Sequence, residues 1–255
     1  MAHSNQVFQR VEKKYLLTKQ QFDALLERIK PYMCADQYGE HTICNVYYDT
    51  KNYDLIRRSV DKPVYKEKFR IRSYGTPQAD DKIFLEIKKK YKGTVYKRRA
   101  SMKYSVAMNY LENGVRPKEQ SQILREIEYF IDWHNISPKL YLAYDRVAFF
   151  GREDEQFRMT FDTRIRSRED HLRLDYGDHG KPLLEDGNYL LEIKVNNAIP
   201  LWMAHTLSDL NIFPVSFSKY GNIYSQKVLQ NRICSVTSNY HEITEDKECL
   251  KVLSN

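Results

Sequence analysis

The sequence is poor in the features that mark several common classes of protein. It has four cysteines in 255 residues, and none of them shows the Cys-x-x-Cys or Cys/His spacing that binds zinc. Cysteines this sparse are expected to be free thiols in a reducing cytosol. No apolar run approaches the ~20 residues of a membrane helix, and the first residues lack the apolar core of a signal peptide. These absences predict a soluble, cytoplasmic protein without a membrane segment.

Two further absences concern phosphate chemistry and domain organisation. The Gly-x-x-x-x-Gly-Lys-[Ser/Thr] loop that cradles nucleotide phosphates is missing. No repeat with a period of ~20–50 residues is visible, and no linker or shift in composition divides the chain. We therefore expect one domain over residues 1–255. Its core would run from about residue 7 to residue 230, and the pattern makes no structural prediction for the tail at 235–255.

Positive charge and tyrosine are what the sequence has in excess. Lysine and arginine number 41 against 34 aspartates and glutamates, which gives a formal net charge of +7. A basic balance of this size indicates an anionic partner. The twenty tyrosines favour a strand-rich structure, because aromatic side chains fit the half-buried surface of a sheet.

A Glu-x-Lys pattern occurs on three predicted strands. On each strand the residues alternate, so that the acidic and basic side chains share one face and apolar residues occupy the other. The three pairs are Glu12 and Lys14, Glu86 and Lys88, and Glu192 and Lys194. One such pair is typical of a solvated surface, whereas three pairs opposite apolar faces indicate a shared polar interior.

Period-two alternation predicts eight strands in an α+β fold. They are Val7–Leu17, His41–Asp49, Val64–Tyr74, Lys82–Tyr91, Thr94–Met102, Lys139–Phe149, Phe157–Asp162 and Tyr189–Asn197. Hairpin-scale spacing indicates mostly antiparallel pairing, and eight strands can close into a barrel that holds side chains or one ligand. Helices are predicted after a Thr18 cap with Gln21 as its partner, over Ser105–Asn113, over Glu119–Asn135 and over Pro200–Leu210. The segment Arg164–Gly187 is interpreted as a long polar loop.

Basic residues from several strands share the polar faces. They are Lys14, Arg70, Arg72, Lys88, Arg146, Arg158 and Lys194, with Lys97 or Arg99 and Lys219 as additions. A dry interior with this many cations is untenable, because desolvating each ion costs several kcal/mol. The interior would therefore be a wet tunnel that holds a polyanion, since arginine forks match phosphate oxygens. The carboxylates could hold a divalent metal that bridges those oxygens.

The sequence pattern allows two interpretations for each of two acidic residues. Glu86 either pairs with Lys88 or a neighbouring arginine, or binds metal. Asp162 either orients an arginine or touches metal. Four further lysines are interpreted as solvated strand ends: Lys66, Lys68, Lys89 and Lys90.

A set of motifs in a fixed order resembles the triphosphate tunnel metalloenzymes, and within them the VTC-type polyphosphate polymerase domain. The motifs are RVEKKYLL, KFRIRSYG, IFLEIKKK, AYDRVAFF, FRMTFDTRIR, YLLEIKV and SFSKYGN. They run from Arg10 to about Asn222, so the resemblance covers nearly the whole chain. Each motif is weak alone, but the combination is specific.

The resemblance implies an eight-stranded antiparallel tunnel with helices packed outside. It also implies transfer of the γ-phosphoryl group of ATP onto polyphosphate, with Mn²⁺ or Mg²⁺ as cofactor. Catalytic roles are expected for Arg70, Arg72, Arg146, Arg158 and Lys219. Substrate binding is expected for Lys14, Lys88, Lys97, Lys194, Ser218 and Tyr144, and metal binding for Glu192, Glu12 and Glu86. The expected partners are ATP and triphosphate or polyphosphate, without nucleic acid, and a homo-oligomer is an open alternative to a monomer.

One departure from the wider superfamily keeps other functions open. The superfamily begins with Glu-x-Glu-x-Lys, whereas this chain has Arg10 at the first position and Glu12 at the second. The change disfavours a multi-carboxylate site of the hydrolytic type. The alternatives are a triphosphate or nucleoside triphosphate hydrolase, and a non-catalytic binder of polyphosphate or RNA through the basic strand from Lys66 to Arg72.

Overall fold

The structure is a computed structural model that describes residues 11–119, 121–196 and 198–230. The chain divides into two compact units, Met1–Phe217 and Ser218–Asn255. In the second unit, residues 219–230 are helical. The expectation of one domain over residues 1–255 stays a prediction. The predicted strand residues 7–10, Arg10 among them, lie outside the described residues, as does the tail at 235–255.

The first unit is built on one antiparallel sheet that has eleven strands in the described residues. Eight of them are long: β1 (Val11–Leu17), β3 (His41–Asp49), β4 (Tyr65–Tyr74), β5 (Lys82–Tyr91), β6 (Thr94–Lys103), β7 (Ser137–Gly151), β8 (Arg158–Arg168) and β10 (Tyr189–Val195). Three are short: β2 (Met33–Ala35), β9 (Lys181–Pro182) and β11 (Pro214–Val215). The α+β class and the eight long strands agree with the sequence prediction.

The predicted closed, eight-stranded barrel is wrong in its closure and in its strand count. The strands follow the order β11-β1-β10-β8-β7-β3-β4-β5-β6, with β2 paired to β7 and β9 paired to β8. Among the described strands, β6 and β11 therefore end the sheet and do not pair with each other. Closure fails because the free edge of β1 pairs with the two residues of β11, while β6 pairs only with β5.

Helices cover the apolar face of the sheet. They are α1 (Lys19–Ile29), α2 (Asp54–Val60), α3 (Tyr104–Asn113), α4 (Gln122–His134) and α5 (Leu201–Asp209). The capping box predicted for α1 is confirmed. The backbone N–H of Gln21 donates to Thr18 Oγ1 at 3.2 Å, and the backbone N–H of Thr18 donates to Gln21 Oε1 at 3.1 Å. No helix in the described part of the chain is long and apolar enough to cross a membrane.

The segment predicted as a long loop at Arg164–Gly187 is partly strand. Strand β8 continues to Arg168, and β9 pairs with its end through Arg166 and Ser167. Polar residues hid this extension, because Arg166 and Arg168 bind carboxylate and carbonyl oxygens of the following segment instead of bulk water. A 3₁₀ turn at Leu174–Tyr176 lies between β8 and β9.

Two separate hydrophobic cores lie under the helices. The first joins α3 and α4 to β3, β4 and β5 around the fully buried Phe69, Leu85 and Ile127. The second joins α1 and α5 to β1, β8 and β10 around Phe161 and Ile193. Each fully buried side chain of this size contributes about 1.5–3 kcal/mol. The apolar strand residues are therefore fixed on the helix side, and their polar neighbours are fixed on the opposite face.

Candidate functional site

The candidate site is the sheet face opposite the helices, which we call the polar face. Its charged residues on the long strands are Glu12, Lys14, Lys66, Lys68, Arg70, Arg72, Lys82, Glu86, Lys88, Lys90, Lys97, Arg99, Lys103, Arg146, Arg158, Asp162, Glu192 and Lys194. The sheet curls around this face. Lys88 Nζ on β5 lies 3.8 Å from Glu12 Oε2 on β1, although five strands separate β1 from β5 in the sheet order. The polar face is therefore concave, and side chains from its two walls meet across it.

Glu86 is the most heavily bridged carboxylate of the polar face. It is almost fully buried, and register places it directly between Arg70 on β4 and Arg99 on β6. Arg70 Nε lies 2.8 Å from Oε2, whereas Arg99 Nε and Lys97 Nζ lie 2.6 and 2.8 Å from Oε1. Burial alone would raise the pKa of Glu86, but Arg70, Arg72 and Lys97 outweigh it and hold that pKa well below its usual range. The carboxylate stays charged and anchors the cations around it.

Polar side chains of β3 and β7 orient two arginines of β4. Arg70 donates from Nη1 to the Tyr47 hydroxyl at 3.0 Å. Arg72 donates from Nε to Asn45 Oδ1 at 2.9 Å and from Nη2 to the Tyr144 hydroxyl at 3.1 Å. These partners leave other guanidinium N–H groups of each arginine available to a ligand. Because the arginines are held by buried partners, little side-chain freedom would be lost on binding phosphate.

Arg146 and Asp162 form a two-pronged ion pair between β7 and β8. Arg146 Nε lies 2.6 Å from Asp162 Oδ1, and Nη2 lies 2.8 Å from Oδ2. Asp162 is fully buried. Of the two interpretations that the sequence allowed, the structure shows Asp162 orienting an arginine. The guanidinium also lies over the Tyr144 ring, 5.0 Å from its centroid, so Tyr144 contacts both Arg72 and Arg146.

The second wall of the polar face carries alternating acids and lysines on β1 and β10. Lys14 forms an ion pair with Glu12, and its register partner on β10 is Glu192. Lys194 Nζ lies 2.9 Å from Glu192 Oε1. Burial lowers the pKa of Lys14, but Glu192 and Glu12 outweigh it and raise that pKa overall. Lys14 therefore stays protonated throughout the neutral range.

The first wall of the polar face is formed by β3, β4, β5 and β6, and three of its groups have pKa values close to 8. Burial lowers the pKa of Lys68 to about 8, with Lys66 and Lys88 adding to the effect. Burial also lowers the pKa of Lys97 to about 8, despite the opposing pull of Glu86. For Tyr47, burial acts upward, but Arg70 and Lys68 outweigh it and lower the pKa to about 8. The charge of this wall therefore changes between pH 7 and pH 9.

The carboxylates predicted to bind metal differ in how well they suit that role. Among the described residues, no group of three or more His, Cys, Asp or Glu side chains is placed to hold a metal ion. Glu12 and Glu192 lie on adjacent strands and offer the hard oxygen donors that Mg²⁺ prefers. Proteins commonly bind this ion through one or two carboxylates together with substrate phosphates. Glu86 does not fit, because it is almost fully buried and Arg70, Arg99 and Lys97 contact both of its oxygens. Glu12 also pairs with lysines, Lys14 and Lys88, but its side chain is more exposed. The metal assignment stays a prediction.

Of the remaining predicted residues, one lies on the sheet and two belong to the second unit. Arg158 is exposed and lies beside Lys194 through the β8–β10 register, with Nε 3.4 Å from the Glu155 carbonyl oxygen. Ser218 and Lys219 belong to the second unit, where Ser218 Oγ accepts from the Gly221 amide at 3.2 Å. Their participation in the site stays a prediction, as do the binding and catalytic roles of all the residues above.

Sequence reasoning missed Tyr47 and Asn45. Both lie in the strand HTICNVYYD, where buried residues occupy both faces. That pattern hides which face is polar, so no alternation marks the two residues as neighbours of Arg70 and Arg72. The signal was indirect, because an amide at the centre of a buried strand needs a hydrogen-bonding partner.

The curled antiparallel sheet places the chain in a fold that two solved proteins share. One is a candidate adenylate cyclase from Bacillus halodurans, 16% identical with a TM-score of 0.52, in an alignment that covers 82% of this chain and 93% of that one. The other is a candidate adenylyl cyclase from Hippeastrum, described as having a dominant triphosphatase activity. It is 16% identical with a TM-score of 0.53, over 85% of this chain and 96% of that one. Identities this low establish the fold alone.

Sequence comparison gives the family. The profile of the VTC domain matches residues 9–227, and the chain therefore belongs to the VTC domain family. This confirms the resemblance that the motifs carry. No curated protein matches the sequence at a significant level.

Proposed function

We propose that the protein is a metal-dependent polyphosphate polymerase that transfers the γ-phosphoryl group of ATP onto a polyphosphate chain. The observation that carries the proposal is the concave face with buried and half-buried arginines held in fixed orientations. Arg72 is fixed by Asn45 and Tyr144, and Arg146 is fixed by Asp162. Such forks match the oxygens of successive phosphates. Membership of the VTC domain family over most of the chain supports the same function.

The reaction needs positioning and neutralisation of charge more than a covalent residue. A terminal oxygen of the polyphosphate attacks the γ-phosphorus in line. The new P–O bond forms as the bond from the γ-phosphorus to the β,γ-bridging oxygen breaks, and ADP leaves with the bonding electrons. No general base is required, because the attacking oxygen is already ionised.

Residues of both walls divide the work in this proposal. Arg70, Arg72, Arg146 and Arg158 clamp the accepting and transferred phosphates, with Lys14, Lys88, Lys97 and Lys194 along the chain. Glu192 and Glu12 would hold Mn²⁺ or Mg²⁺, which when bound neutralises negative charge on phosphate oxygens. Asp162 and Glu86 hold the arginines in place and do not contact substrate.

Hydrolysis of triphosphate is the second candidate. It would use the same face with water as the acceptor. The observation in its favour is the shared fold with the Hippeastrum protein, which is described as a triphosphatase. Water needs activation that an ionised phosphate oxygen does not, so a hydrolase would require a base beside the clamp.

The decisive experiment incubates the purified protein with ATP and Mn²⁺. Products are separated on a polyphosphate-staining gel, and free phosphate is measured in parallel. A ladder of polymer together with ADP is the expected result. Free phosphate without polymer would favour the hydrolase, whereas tight triphosphate binding without either product would identify a non-catalytic binder. The same assay applied to Arg72→Ala tests the clamp, and Arg125→Ala, an exposed change on α4, is its matched control for the loss of one arginine.

A further inference from the structure

Four pairs of lysines are directly opposed on the polar face across β4, β5 and β6. One pair, Lys82 with Lys103, lies on the far side of Glu86, where Asp80 forms an ion pair with Lys103. The other three pairs share five lysines: Lys66 with Lys90, Lys68 with Lys88, and Lys88 with Lys97. Directly opposed residues in an antiparallel sheet have Cβ atoms about 4.5–5.5 Å apart, and like charges in such pairs are destabilising. We call these five residues the lysine ladder. The positive charges of these lysines repel each other, and a bound anion would reduce that repulsion.

The opposite face of the same strands shows no comparable repulsion. One position along from the ladder, Glu67 on β4 faces Lys89 on β5, which are opposite charges. Glu67 also lies 2.7 Å from His134 Nε2 and accepts from the Tyr65 hydroxyl at 2.6 Å. Charge is thus balanced on the helix side of these strands and unbalanced on the polar face, so the ladder is not a by-product of a generally basic hairpin.

The far end of the ladder has no acidic partner in the described structure. Lys97 and Lys88 reach Glu86 and Glu12. Lys66 donates only to the Ser59 carbonyl oxygen, at 3.1 Å, and no described carboxylate lies within ion-pair distance of Lys66 or Lys90. Burial and the positive charge of Lys90 lower the pKa of Lys66. The cationic surplus therefore grows along β4 with distance from Arg72.

We propose that the lysine ladder is the path along which a phosphate chain longer than triphosphate leaves the arginine-lined part of the polar face. The proposal rests on the proposed function and adds the direction of the chain. Lys66 lies six positions before Arg72 on β4, and a strand rises ~3.4 Å per residue, so the two rows are about 20 Å apart. A triphosphate bound at the arginines does not span that distance, whereas a long polyphosphate does.

The test compares short and long chains on two matched double variants. Lys66→Gln/Lys90→Gln removes the outer ladder pair and leaves the predicted clamp residues unchanged. Lys13→Gln/Lys89→Gln removes the same number of charges from strand positions on the other face, so the net charge of the two variants is equal. Affinities for inorganic triphosphate and for long-chain polyphosphate are measured by titration calorimetry at two salt concentrations.

The ladder variant should bind long-chain polyphosphate about 30-fold more weakly than the wild type, because each of the two lost lysines contributes about fivefold near an anionic surface. Its binding should also depend less steeply on salt. Its affinity for triphosphate should stay within about twofold, and the control variant should resemble the wild type for both chains. Circular dichroism of both variants establishes that the sheet is intact.

The other outcomes separate the path from the function. If the ladder variant binds both chains as the wild type does, the path is wrong and the proposed function stands. If wild-type protein binds neither chain, both are wrong. If the ladder variant loses affinity for single-stranded RNA but keeps that for long polyphosphate, the ladder is a nucleic-acid groove instead.

Discussion

Arg146 and Asp162 are locked together by two parallel hydrogen bonds, 2.6 and 2.8 Å long, at the centre of the polar face. The fully buried carboxylate fixes the plane of the guanidinium. In the proposed reaction, a displaced arginine would lose its alignment with the phosphate oxygens, and misplacement of about 1 Å can cost 10²-fold in rate.

We therefore predict that Asp162→Asn lowers the turnover number for polymer formation by about 10- to 100-fold and changes KM less. Arg146→Lys should show a similar loss, because lysine cannot form the two-pronged pair. Steady-state kinetics with varied ATP separates the two constants. Wild-type turnover in Asp162→Asn would show that the ion pair does not position a working group, and the exposed change Asp186→Asn is the control.

Arg72 on β4 is held by hydrogen bonds to side chains of two other strands, Asn45 on β3 and Tyr144 on β7. We predict that Arg72→Ala abolishes polymer formation, while thermal unfolding still shows a cooperative transition. Arg72→Lys should restore charge but not the fork, and so recover little activity. The gel assay with ATP and Mn²⁺ measures both variants, and full activity of Arg72→Ala would contradict the proposed function.

Glu86 should contribute to stability more than to chemistry. We predict that Glu86→Gln lowers the free energy of unfolding by about 3 kcal/mol, because it leaves the buried Arg72 and the half-buried Arg70 without their counter-charge. For a chain of this length that corresponds to a fall in Tm of about 6–12 °C. Glu12→Gln, a change at a more exposed carboxylate, should shift Tm much less. Equal shifts would contradict the anchoring role of Glu86.

The same glutamate should also shape the dependence of stability on pH. Its pKa is held below the usual range in the folded protein, so its stabilising effect is complete above the unfolded value of about 4.3. That effect is lost as the pH falls toward the lower folded pKa. Below about pH 4, the wild type should therefore lose stability more steeply than Glu86→Gln. Chemical denaturation at a series of pH values measures the difference.

Triphosphate affinity should fall between pH 7 and pH 9. Lys68 and Lys97 both have pKa values near 8, so they lose positive charge across this interval, while Tyr47 gains negative charge. The ligand itself does not lose charge as the pH rises, so the fall would come from the protein. Lys97→Arg, whose side chain stays charged, should show a shallower pH profile. A flat profile in the wild type would contradict the titration of these groups.

Metal binding should separate the three predicted carboxylates. With triphosphate present, Glu192→Gln should weaken Mn²⁺ binding measured by electron paramagnetic resonance by about 10- to 100-fold, the scale seen when groups of a metal site are altered. Glu86→Gln should not weaken it directly, since its oxygens contact cations. The reverse order of effects would place the metal at Glu86. Glu126→Gln on α4 controls for loss of one surface carboxylate.

The strands of the polar face were predictable because alternation is local. Glu192 and Lys194 share a face whatever the rest of the chain does. Closure of the sheet was not predictable from the same pattern, because it depends on which strand edges meet. The short β11, Pro214–Val215, has no alternation to detect, yet it pairs with the edge that a closed barrel would use.

Partners across strands were less predictable than faces. Glu86 kept two interpretations because its neighbours depend on register, and register placed Arg70 and Arg99 directly beside it. Register likewise changed the interpretation of Lys66 and Lys90, which the sequence favoured as solvated strand ends. Two lysines distant in sequence become a repelling pair only when the hairpin sets them opposite each other.

Strand β7 joins two halves that are otherwise supported separately. Its first half, with Tyr141 and Ala143, belongs to the core under α3 and α4, whereas Phe149 packs against the core under α1 and α5. An irregularity in its pairing with β8 falls between Ala143 and Asp145. Each half of the polar face is therefore supported by its own hydrophobic core, and β7 spans both cores. Under the proposed function, a substitution in one core would alter the phosphate contacts of the half that it supports more than those of the other half.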